Sequence, residues 1–206
     1  MSRDVTNAAE YWSKHAEKAT QTDRGMLWLE VPEIHASINR QVSGSPDMNW
    51  LQHSLRTHLN SQAPVAECLS LGCGEGRLER SLFKLGAFQH CDAYDVAPGS
   101  IELARKQAEA EGIKDIDYSV ADINTLALPG SKYDVVWVDM AMHHFEALES
   151  VCQQVSKALK PEGWLFINEY VGPNRFQFSP RQKETIDLCL RLIPHRYRVT
   201  GLEFTL

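Results

Sequence analysis

The sequence predicts an α/β protein: a doubly wound, mostly parallel sheet with helices on both faces. Between residues 66 and 171, short apolar segments rich in β-branched residues alternate with amphipathic segments long enough to form helices. Helical connections between consecutive strands favour parallel pairing, since antiparallel neighbours are usually joined by short turns. The first apolar segment also passes through a glycine-rich turn into a helical pattern, which is typical of the ligand-binding end of such sheets.

The elements follow in order from the hydrophobic pattern and the turn residues. The predicted strands are Ala66–Leu71, Cys91–Val96, Ile116–Val120, Asp134–Val138 and Trp164–Val171. The fourth is almost entirely apolar and is therefore expected to be buried on both faces. The predicted helices are Gly76–Leu85, Ser100–Glu111, Ala147–Leu159 (ended by Lys160-Pro161-Glu162-Gly163) and a last one from Ser179-Pro180 to about Leu192.

Residues 1–60 precede this alternation and have a different, helical pattern. Three helices are predicted there: from Thr6 or Asn7 to about Lys18, from Pro32 to Arg40, and from Pro46 or Asp47 to about Leu59. We therefore predict an N-terminal helical cap or lid at residues 1–60 and a Rossmann-like sheet domain at residues 61–206. The aromatic side chains of the first segment, which include Tyr11 and Trp12, either pack as a flap or close over a ligand.

The C-terminal end provides fewer strands than a complete sheet of this class requires. Residues 196–206 alternate roughly between polar and apolar side chains, which is enough for one strand at most. The sequence therefore predicts either a truncated C-terminal edge, as in a fragment, or an edge covered by the N-terminal segment or by a partner. An uncovered edge strand invites association, so a homo-oligomer is one of the alternatives.

The composition favours a cytoplasmic protein with a small-molecule partner. The 206 residues, of which 43% are hydrophobic, can bury a sizeable core, and the net charge of −6 provides no broad positive field for nucleic acid. The five cysteines form no C-x-x-C pair, which favours reduced thiols over a metal site. Neither a secretory signal nor an apolar run of membrane-spanning length is visible, so no membrane partner is expected.

Three glycines, Gly72, Gly74 and Gly76, follow the first strand at alternate positions. Glycine lacks a Cβ, so it accepts left-handed backbone and lets a ligand approach closely. The spacing differs from the G-x-G-x-x-G of dinucleotide sites because Arg77 follows Gly76, which disfavours a nicotinamide oxidoreductase. Alone, the loop is also compatible with a tight strand-to-helix turn and no ligand.

Carboxylates after the second and third strands strengthen the ligand hypothesis. Asp95 lies about 20 residues after the glycine loop, where an acidic side chain can accept hydrogen bonds from two ribose hydroxyls, although it can also serve as a turn former or helix cap. Asp122 can accept the amine of an adenine while Ile123 packs on the ring. Asp139 and the pair His143-His144 follow the fourth strand, so all these groups lie at carboxyl ends of strands.

In their order and spacing, these motifs resemble the class I S-adenosylmethionine-dependent methyltransferases, of the bacterial small-molecule type. The resemblance covers about residues 60–171 and rests on Leu-Ser-Leu-Gly-Cys-Gly-Glu-Gly at 69–76, Asp95, Ala-Asp-Ile at 121–123, Tyr-Asp-Val-Val at 133–136, Met-His-His-Phe at 142–145 and Leu-Lys-Pro-Glu-Gly-Trp-Leu at 159–165. It implies S-adenosyl-L-methionine as cofactor, S-adenosyl-L-homocysteine as product, and an O, N or C nucleophile of a small molecule as methyl acceptor.

The resemblance also implies which residues hold the cofactor. The glycines would border its methionine part, Asp95 would hold the ribose, and Asp122 with Ile123 would flank the adenine. Ser70 departs from the pattern, because many members carry an acidic residue there, beneath the methionine amino group. That contact is expected to be weaker, water-mediated or supplied from elsewhere, the N-terminal segment being the obvious source. The predicted cofactor-binding residues are Tyr11, Trp12, Gly72, Cys73, Gly74, Gly76, Asp95, Val96, Asp122, Ile123 and Asp139.

The candidates for a general base are His143, His144, Glu169 and Tyr170, which follow the fourth and fifth strands. An imidazole titrates near neutral pH, and a general base accelerates transfer from a hydroxyl acceptor by about 10²–10⁴-fold. The alternative is that one histidine packs while the other caps the next helix. Arg175, Phe176 and Gln177 are expected either to shape the acceptor pocket or to lie in a surface loop. The rival function is a non-catalytic cofactor-binding or interaction domain, a fragment of a larger enzyme.

Overall fold

The structure is a computed structural model of the chain, and it describes residue 6 and residues 9–14, 31–60, 62–172 and 177–192. The predicted strand at residues 196–206 lies outside this part of the chain, as do Arg175 and Phe176. Of the first predicted helix, residues 9–14 are described and are helical. No helix in the described ranges is both long and apolar enough to cross a membrane.

A five-stranded parallel sheet forms the centre of the molecule. Its strands are β1 (Val65–Leu71), β2 (Phe88–Asp95), β3 (Ile116–Val120), β4 (Tyr133–Asp139) and β5 (Leu159–Asn168), and they lie in the order β3-β2-β1-β4-β5. Every neighbouring pair is parallel. The chain winds from β1 towards β3 on one side and then crosses back to β4 on the other. The carboxyl ends of β1 and β4 therefore flank the point at which the winding reverses, where such sheets bind ligands.

Helices cover both faces of the sheet, as predicted. The described helices are α1 (Pro32–Ser43), α2 (Trp50–His58), α3 (Arg77–Lys84), α4 (Pro98–Ala110), α5 (Leu148–Ala158) and α6 (Pro180–Leu192). No residue of α6 is buried. Side chains of α2, α3 and α4 pack in one core cluster, and those of α5 pack in a second cluster on the opposite face. In β4, Val135 and Trp137 belong to the first cluster and Val136 and Val138 to the second. This alternation confirms that the fourth strand is buried on both faces.

Helix α2 begins at Trp50 rather than at Pro46 or Asp47. The side chains of Asn39 and Ser43 donate hydrogen bonds to the carbonyls of Pro46 and Met48, both at 2.8 Å, which holds the preceding segment in a turn. Asn49 then caps the helix in a reciprocal capping box with Gln52. The division of the chain at residue 60 stays a prediction, but Leu51, Leu55 and Leu59 of this segment are buried in the core of the sheet domain.

Strand β5 begins and ends earlier than predicted, because the Lys-Pro-Glu-Gly segment does not separate it from α5. Leu159 pairs with Tyr133, and the next pairs join Trp164 to Val135 after a register shift. The intervening residues form an irregular first half of the strand, with Glu162 at a positive φ of 65°. The strand then ends at Asn168, which places Glu169 directly beyond its carboxyl end.

Candidate active site

A cavity of about 590 Å³ opens at the carboxyl ends of β1 to β4. Its size is typical of pockets that hold a small molecule or a cofactor. The wall consists of the glycine loop and first turn of α3, the ends of β2 and β3, the segment after β4, and Trp12 from the N-terminal helical segment. The lining residues with a predicted or newly recognised function are Trp12, Gly72, Cys73, Gly74, Glu79, Asp95, Val96, Asp122, Ile123, Asp139, His143 and His144.

Gly74 presents bare backbone to this cavity. Its φ is +52°, and a Cβ added there would meet no atom within 4 Å, so the space above it is open to a ligand. Gly76 has a different reason to be glycine. It does not line the cavity, and a Cβ on it would collide with the ring of Tyr118, which donates a hydrogen bond to the Gly76 carbonyl at 3.2 Å. The structure thus associates Gly76 with packing between α3 and β3.

Asp95 ties the end of β2 to the glycine loop. Its Oδ2 accepts a hydrogen bond from the Gly74 N–H at 2.9 Å, and its Oδ1 accepts one from the Ala97 N–H at 2.8 Å. Burial raises the pKa of Asp95, while these backbone bonds act in the opposite direction. Each carboxylate oxygen can accept a second hydrogen bond, so the side chain can hold the loop and still receive two hydroxyls of a ligand.

Asn124, which the sequence analysis did not single out, holds together the two loops beside Asp122. Asp122 Oδ1 accepts hydrogen bonds from the backbone and side-chain N–H groups of Asn124, at 3.0 and 2.9 Å. The Asn124 side-chain oxygen accepts the N–H groups of Glu146 and Ala147 at 2.8 and 3.0 Å. Asn124 therefore joins the loops after β3 and β4. Ile123 is buried beside it and lines the cavity.

His143 and Glu169 form a short hydrogen-bonded pair at the ends of β4 and β5. His143 Nδ1 lies 2.6 Å from Glu169 Oε1, and the His143 backbone N–H lies 3.3 Å from Glu169 Oε2. Burial acts to raise the pKa of Glu169, but the hydrogen bonds from His143 and from the Tyr170 N–H outweigh it and lower that pKa. An ionised carboxylate only accepts hydrogen bonds, so Nδ1 is the donor in this pair and Nε2 is the ring nitrogen that takes no part in it.

His144 and Trp12 complete this end of the cavity. The rings of His143 and His144 are 4.0 Å apart, and Trp12 meets His144 edge-on with centroids 5.6 Å apart. Burial and the neighbouring His143 lower the pKa of His144, which favours its neutral form. Glu169 and Tyr170 do not belong to the cavity wall; Glu169 instead contacts His143 from behind. Tyr11 also lies outside the wall and packs edge-on against Trp12.

Asp139 faces the same cavity from the end of β4. Its Oδ1 accepts a hydrogen bond from Asn168 Nδ2 at 2.7 Å. Together with the His143–Glu169 pair, this is a second side-chain contact between the ends of β4 and β5. Burial raises the pKa of Asp139, and the bond from Asn168 opposes that shift. Met140 follows with a positive φ of 51°, an uncommon conformation for a residue other than glycine, and it also lines the cavity. The segment after β4 is thus held in a defined, strained shape.

A buried carboxylate that the sequence analysis missed lies behind the glycine loop. Glu79, in the first turn of α3, is fully buried and is also one of the residues that border the cavity. Ser70 at the end of β1 donates a hydrogen bond to Glu79 Oε1. A carboxylate therefore lies directly beside Ser70, and α3 contributes it. The expectation that the N-terminal segment supplies the contact stays a prediction.

Comparison with known proteins agrees with the fold and the motifs. Residues 69–167 match a family described as a methyltransferase domain. The demethylmenaquinone methyltransferase of Thermus thermophilus is 26% identical over 153 residues, which are 74% of this chain and 68% of that protein. The ubiquinone biosynthesis O-methyltransferase of Ruegeria pomeroyi is 30% identical over 158 residues, 76% of this chain and 56% of that protein. The chain thus spans from about half to two thirds of the length of these relatives.

Solved structures share the architecture at low sequence identity, so they bear on the fold alone. The YcgJ protein of Bacillus subtilis aligns with a TM-score of 0.54 and 20% identity, over 69% of this chain and 57% of that one. A Haemonchus contortus phosphoethanolamine N-methyltransferase, solved with S-adenosylhomocysteine, aligns with a TM-score of 0.56 and 18% identity, over 78% of this chain and 38% of that one. With its doubly wound sheet, its strand-end motifs and its match to a methyltransferase domain over residues 69–167, the chain is similar to the class I S-adenosylmethionine-dependent methyltransferases.

Proposed function

We propose that the protein transfers the methyl group of S-adenosyl-L-methionine to an O, N or C nucleophile of a small molecule. The observation that carries the proposal is the composition of one cavity. Carboxylates suited to an adenosine, Asp95 and Asp122, line it together with His143, whose ring is oriented by a carboxylate outside the wall. A site built only to bind a nucleoside would not need an oriented imidazole.

The residues present fit this cofactor. The open space above Gly74 admits a ligand against the backbone, and Asp95 retains acceptor capacity for two ribose hydroxyls. Ile123 offers an apolar surface for a base, with Asp122 beside it as an acceptor for an amine. When bound, the cofactor supplies a methyl group already activated on a positively charged sulfur. The protein then has to hold the acceptor in line with that methyl group and exclude water.

We further propose that the acceptor is a hydroxyl, and that His143 removes its proton. As the acceptor oxygen bonds to the methyl carbon, the carbon–sulfur bond breaks with its electrons left on sulfur, and the hydroxyl proton passes to Nε2 of His143. Glu169 stabilises the imidazolium that forms, as the buried carboxylate does in other oriented histidine pairs. The relatives named as ubiquinone biosynthesis O-methyltransferases support an oxygen acceptor.

We also propose that the protein works in the cytoplasm. All the cysteines in the described ranges are free, and Cys68, Cys73 and Cys91 are buried among the core residues. Unpaired thiols in a folded core suit a reducing compartment, which is also where this cofactor would be available.

Calorimetry with the purified chain tests the cofactor assignment. We expect S-adenosylmethionine and S-adenosylhomocysteine both to bind. Asp95→Ala should weaken binding of either by about tenfold or more, because it removes charged acceptors for the ribose and the anchor of the Gly74 N–H. Asp117→Ala, at an exposed position on β3, is the matched control and should bind as the unaltered protein does.

Methyl transfer is then tested with methyl-labelled S-adenosylmethionine and a fractionated metabolite extract. Label in a small-molecule product, and in no protein or nucleic acid, is the expected result. No binding of either cofactor form by the folded protein would overturn the assignment. Binding without transfer to any fraction would instead leave a non-catalytic cofactor-binding domain.

A further inference from the structure

Glu79 is the one residue in the described ranges with a buried side-chain oxygen that has no hydrogen-bond partner. Its Oε1 receives the Ser70 hydroxyl, whereas its Oε2 is buried without any donor. A buried charge without a partner costs several kcal/mol, so such a group is normally either protonated or matched by a cation. Because Glu79 is one of the residues that border the cavity, a ligand bound there can provide what the protein does not.

The protein itself supplies little positive charge to this carboxylate. Arg80, whose charge acts on Glu79, uses its guanidinium elsewhere: it bonds the Glu75 carbonyl at 2.6 Å, the Gln107 side chain and, at 3.2 Å, Glu111. The other ionisable groups around Glu79 are acids that add no positive charge, and Asp139 acts on it as a further negative charge. They are Asp139, Cys73, Cys91 and Tyr118.

We propose that Glu79 binds the ammonium group of the cofactor's methionine part. It would thereby supply the negative charge that Ser70 lacks at a position where many similar proteins carry an acidic residue. This inference rests on the proposed function. Of the two cationic groups of S-adenosylmethionine, the sulfonium carries no N–H or O–H and cannot satisfy Oε2. The ammonium can provide both the charge and the missing hydrogen bond. Ser70 then orients the carboxylate from behind by its bond to Oε1.

Such a site couples cofactor binding to a proton. Burial raises the pKa of Glu79 to about 7, and the bond from Ser70 only partly opposes that shift. About half of the apo protein therefore carries a proton on Glu79 at pH 7, and an arriving ammonium must displace it. We expect binding to release about half a proton at pH 7, and affinity to rise as the pH rises through that value.

The test compares two ligands that differ only in the amine. They are S-adenosylhomocysteine and 5′-S-(3-carboxypropyl)-5′-thioadenosine, which keeps the adenosine, the sulfur and the carboxylate. Affinities are measured by calorimetry for the unaltered chain and for Glu79→Gln, whose near-identical shape still accepts the Ser70 hydroxyl. Glu102→Gln, at an exposed helical site, is the control for a lost carboxylate. Repeating each titration in buffers of different ionisation enthalpy gives the number of protons released.

In Glu79→Gln we expect affinity for S-adenosylhomocysteine to fall by about 10–100-fold, and affinity for the amine-free ligand to change by less than about threefold. Equal losses for both ligands, or no loss for either, would overturn the inference while leaving the proposed function intact. Absence of S-adenosylhomocysteine binding by the unaltered protein would overturn the proposed function itself. If Glu79→Gln fails to fold, the proton release measured with the unaltered protein decides between the outcomes. We expect S-adenosylhomocysteine to release more protons than the amine-free ligand, and equal release with both would reject the assignment.

Discussion

Glu79 makes the stability of the apo protein depend on pH. Its pKa lies at about 7 in the folded protein against an ordinary 4.5, so the folded state holds this proton more tightly than the unfolded chain. The contribution of this group to stability is therefore complete below about pH 4.5 and is lost as the pH rises through 7. Over the whole range the loss amounts to about 3 kcal/mol, because each pKa unit corresponds to about 1.4 kcal/mol.

Glu79→Gln is expected to remove that loss. Urea unfolding at pH 5 and pH 8 measures the free energy of unfolding of both proteins. The difference, variant minus unaltered protein, should be about 3 kcal/mol larger at pH 8 than at pH 5. The comparison cancels the other titrating groups, and Glu102→Gln should show no such gain. Stability curves that stay parallel across this range would mean that Glu79 is ionised in the apo protein and that burial does not raise its pKa.

His143 and Glu169 are expected to act as one unit in catalysis. His143→Ala should lower kcat by about 10²–10⁴-fold by removing the base, and Glu169→Gln should lower it by a smaller factor. The double variant should be no slower than His143→Ala, because Glu169 acts through the imidazole. S-adenosylhomocysteine affinity should stay within about threefold in each, a split that a merely structural defect would not produce.

The measurement is the initial rate with the identified acceptor, together with calorimetry for the cofactor. His35→Ala, on the exposed side of α1 and outside the cavity wall, is the matched control. A His143→Ala protein that retains the full rate would assign the proton transfer elsewhere or to no base at all, as a carbon or amine acceptor allows.

The burial of Glu79 beside Ser70 could not be predicted from the sequence pattern. A glutamate between a leucine and an arginine in a helical segment ordinarily faces water. The phase of α3 relative to β1, set by the glycine loop, turns it inward onto Ser70, and only the tertiary structure fixes that phase. The usable signal was the pair itself: a serine where an acid is expected, and a glutamate beside the apolar face of Leu78 and Leu82.

At the scale of elements, α2, which the sequence pattern assigns to the N-terminal cap, packs its leucines against the core of the sheet. Leu59, directly after its last turn, is 1% exposed within the core cluster. Leu59→Ala should therefore lower the free energy of unfolding by about 2–5 kcal/mol, whereas Leu188→Ala on α6 should change it by less than about 0.5. Urea unfolding measures both. A negligible cost at Leu59 would support a separate unit ending at residue 60.

Strand positions were more predictable than their ends. β3 and α6 have the predicted bounds, and β4 differs by one residue at each end, because buried β-branched runs and proline starts are strong local signals. β5 was placed too late because Pro161 and Gly163 read as a break. Pairing with β4 nevertheless extends the strand through this segment by accepting a register shift. Such tertiary pairing cannot be deduced from the segment alone.

At the scale of the whole molecule, the sheet order explains why scattered motifs converge. The reversal at β1 places the glycine loop between the acids that follow β2 and β3 and the histidines that follow β4. That the glycine loop, Asp95 and Asp122 line one cavity was therefore largely predictable from spacing. The acceptor half was not, because the direction of His143 depends on Glu169, which reaches it across two strand ends.

The two halves of the cavity also differ in how firmly they are held. The glycine loop and Asp95 follow the inner strands β1 and β2, whereas Glu169 and Asn168 come from β5, the last strand of the described sheet on that side. Asp122 and Ile123 follow β3, the last described strand on the other side. Edge strands open locally at lower free energy than central ones. On warming, the His143–Glu169 pair should therefore separate before the contact between Asp95 and the glycine loop does. The proposed methyl transfer would then be lost at a lower temperature than the ribose-binding side of the cavity, and the fold would be lost last.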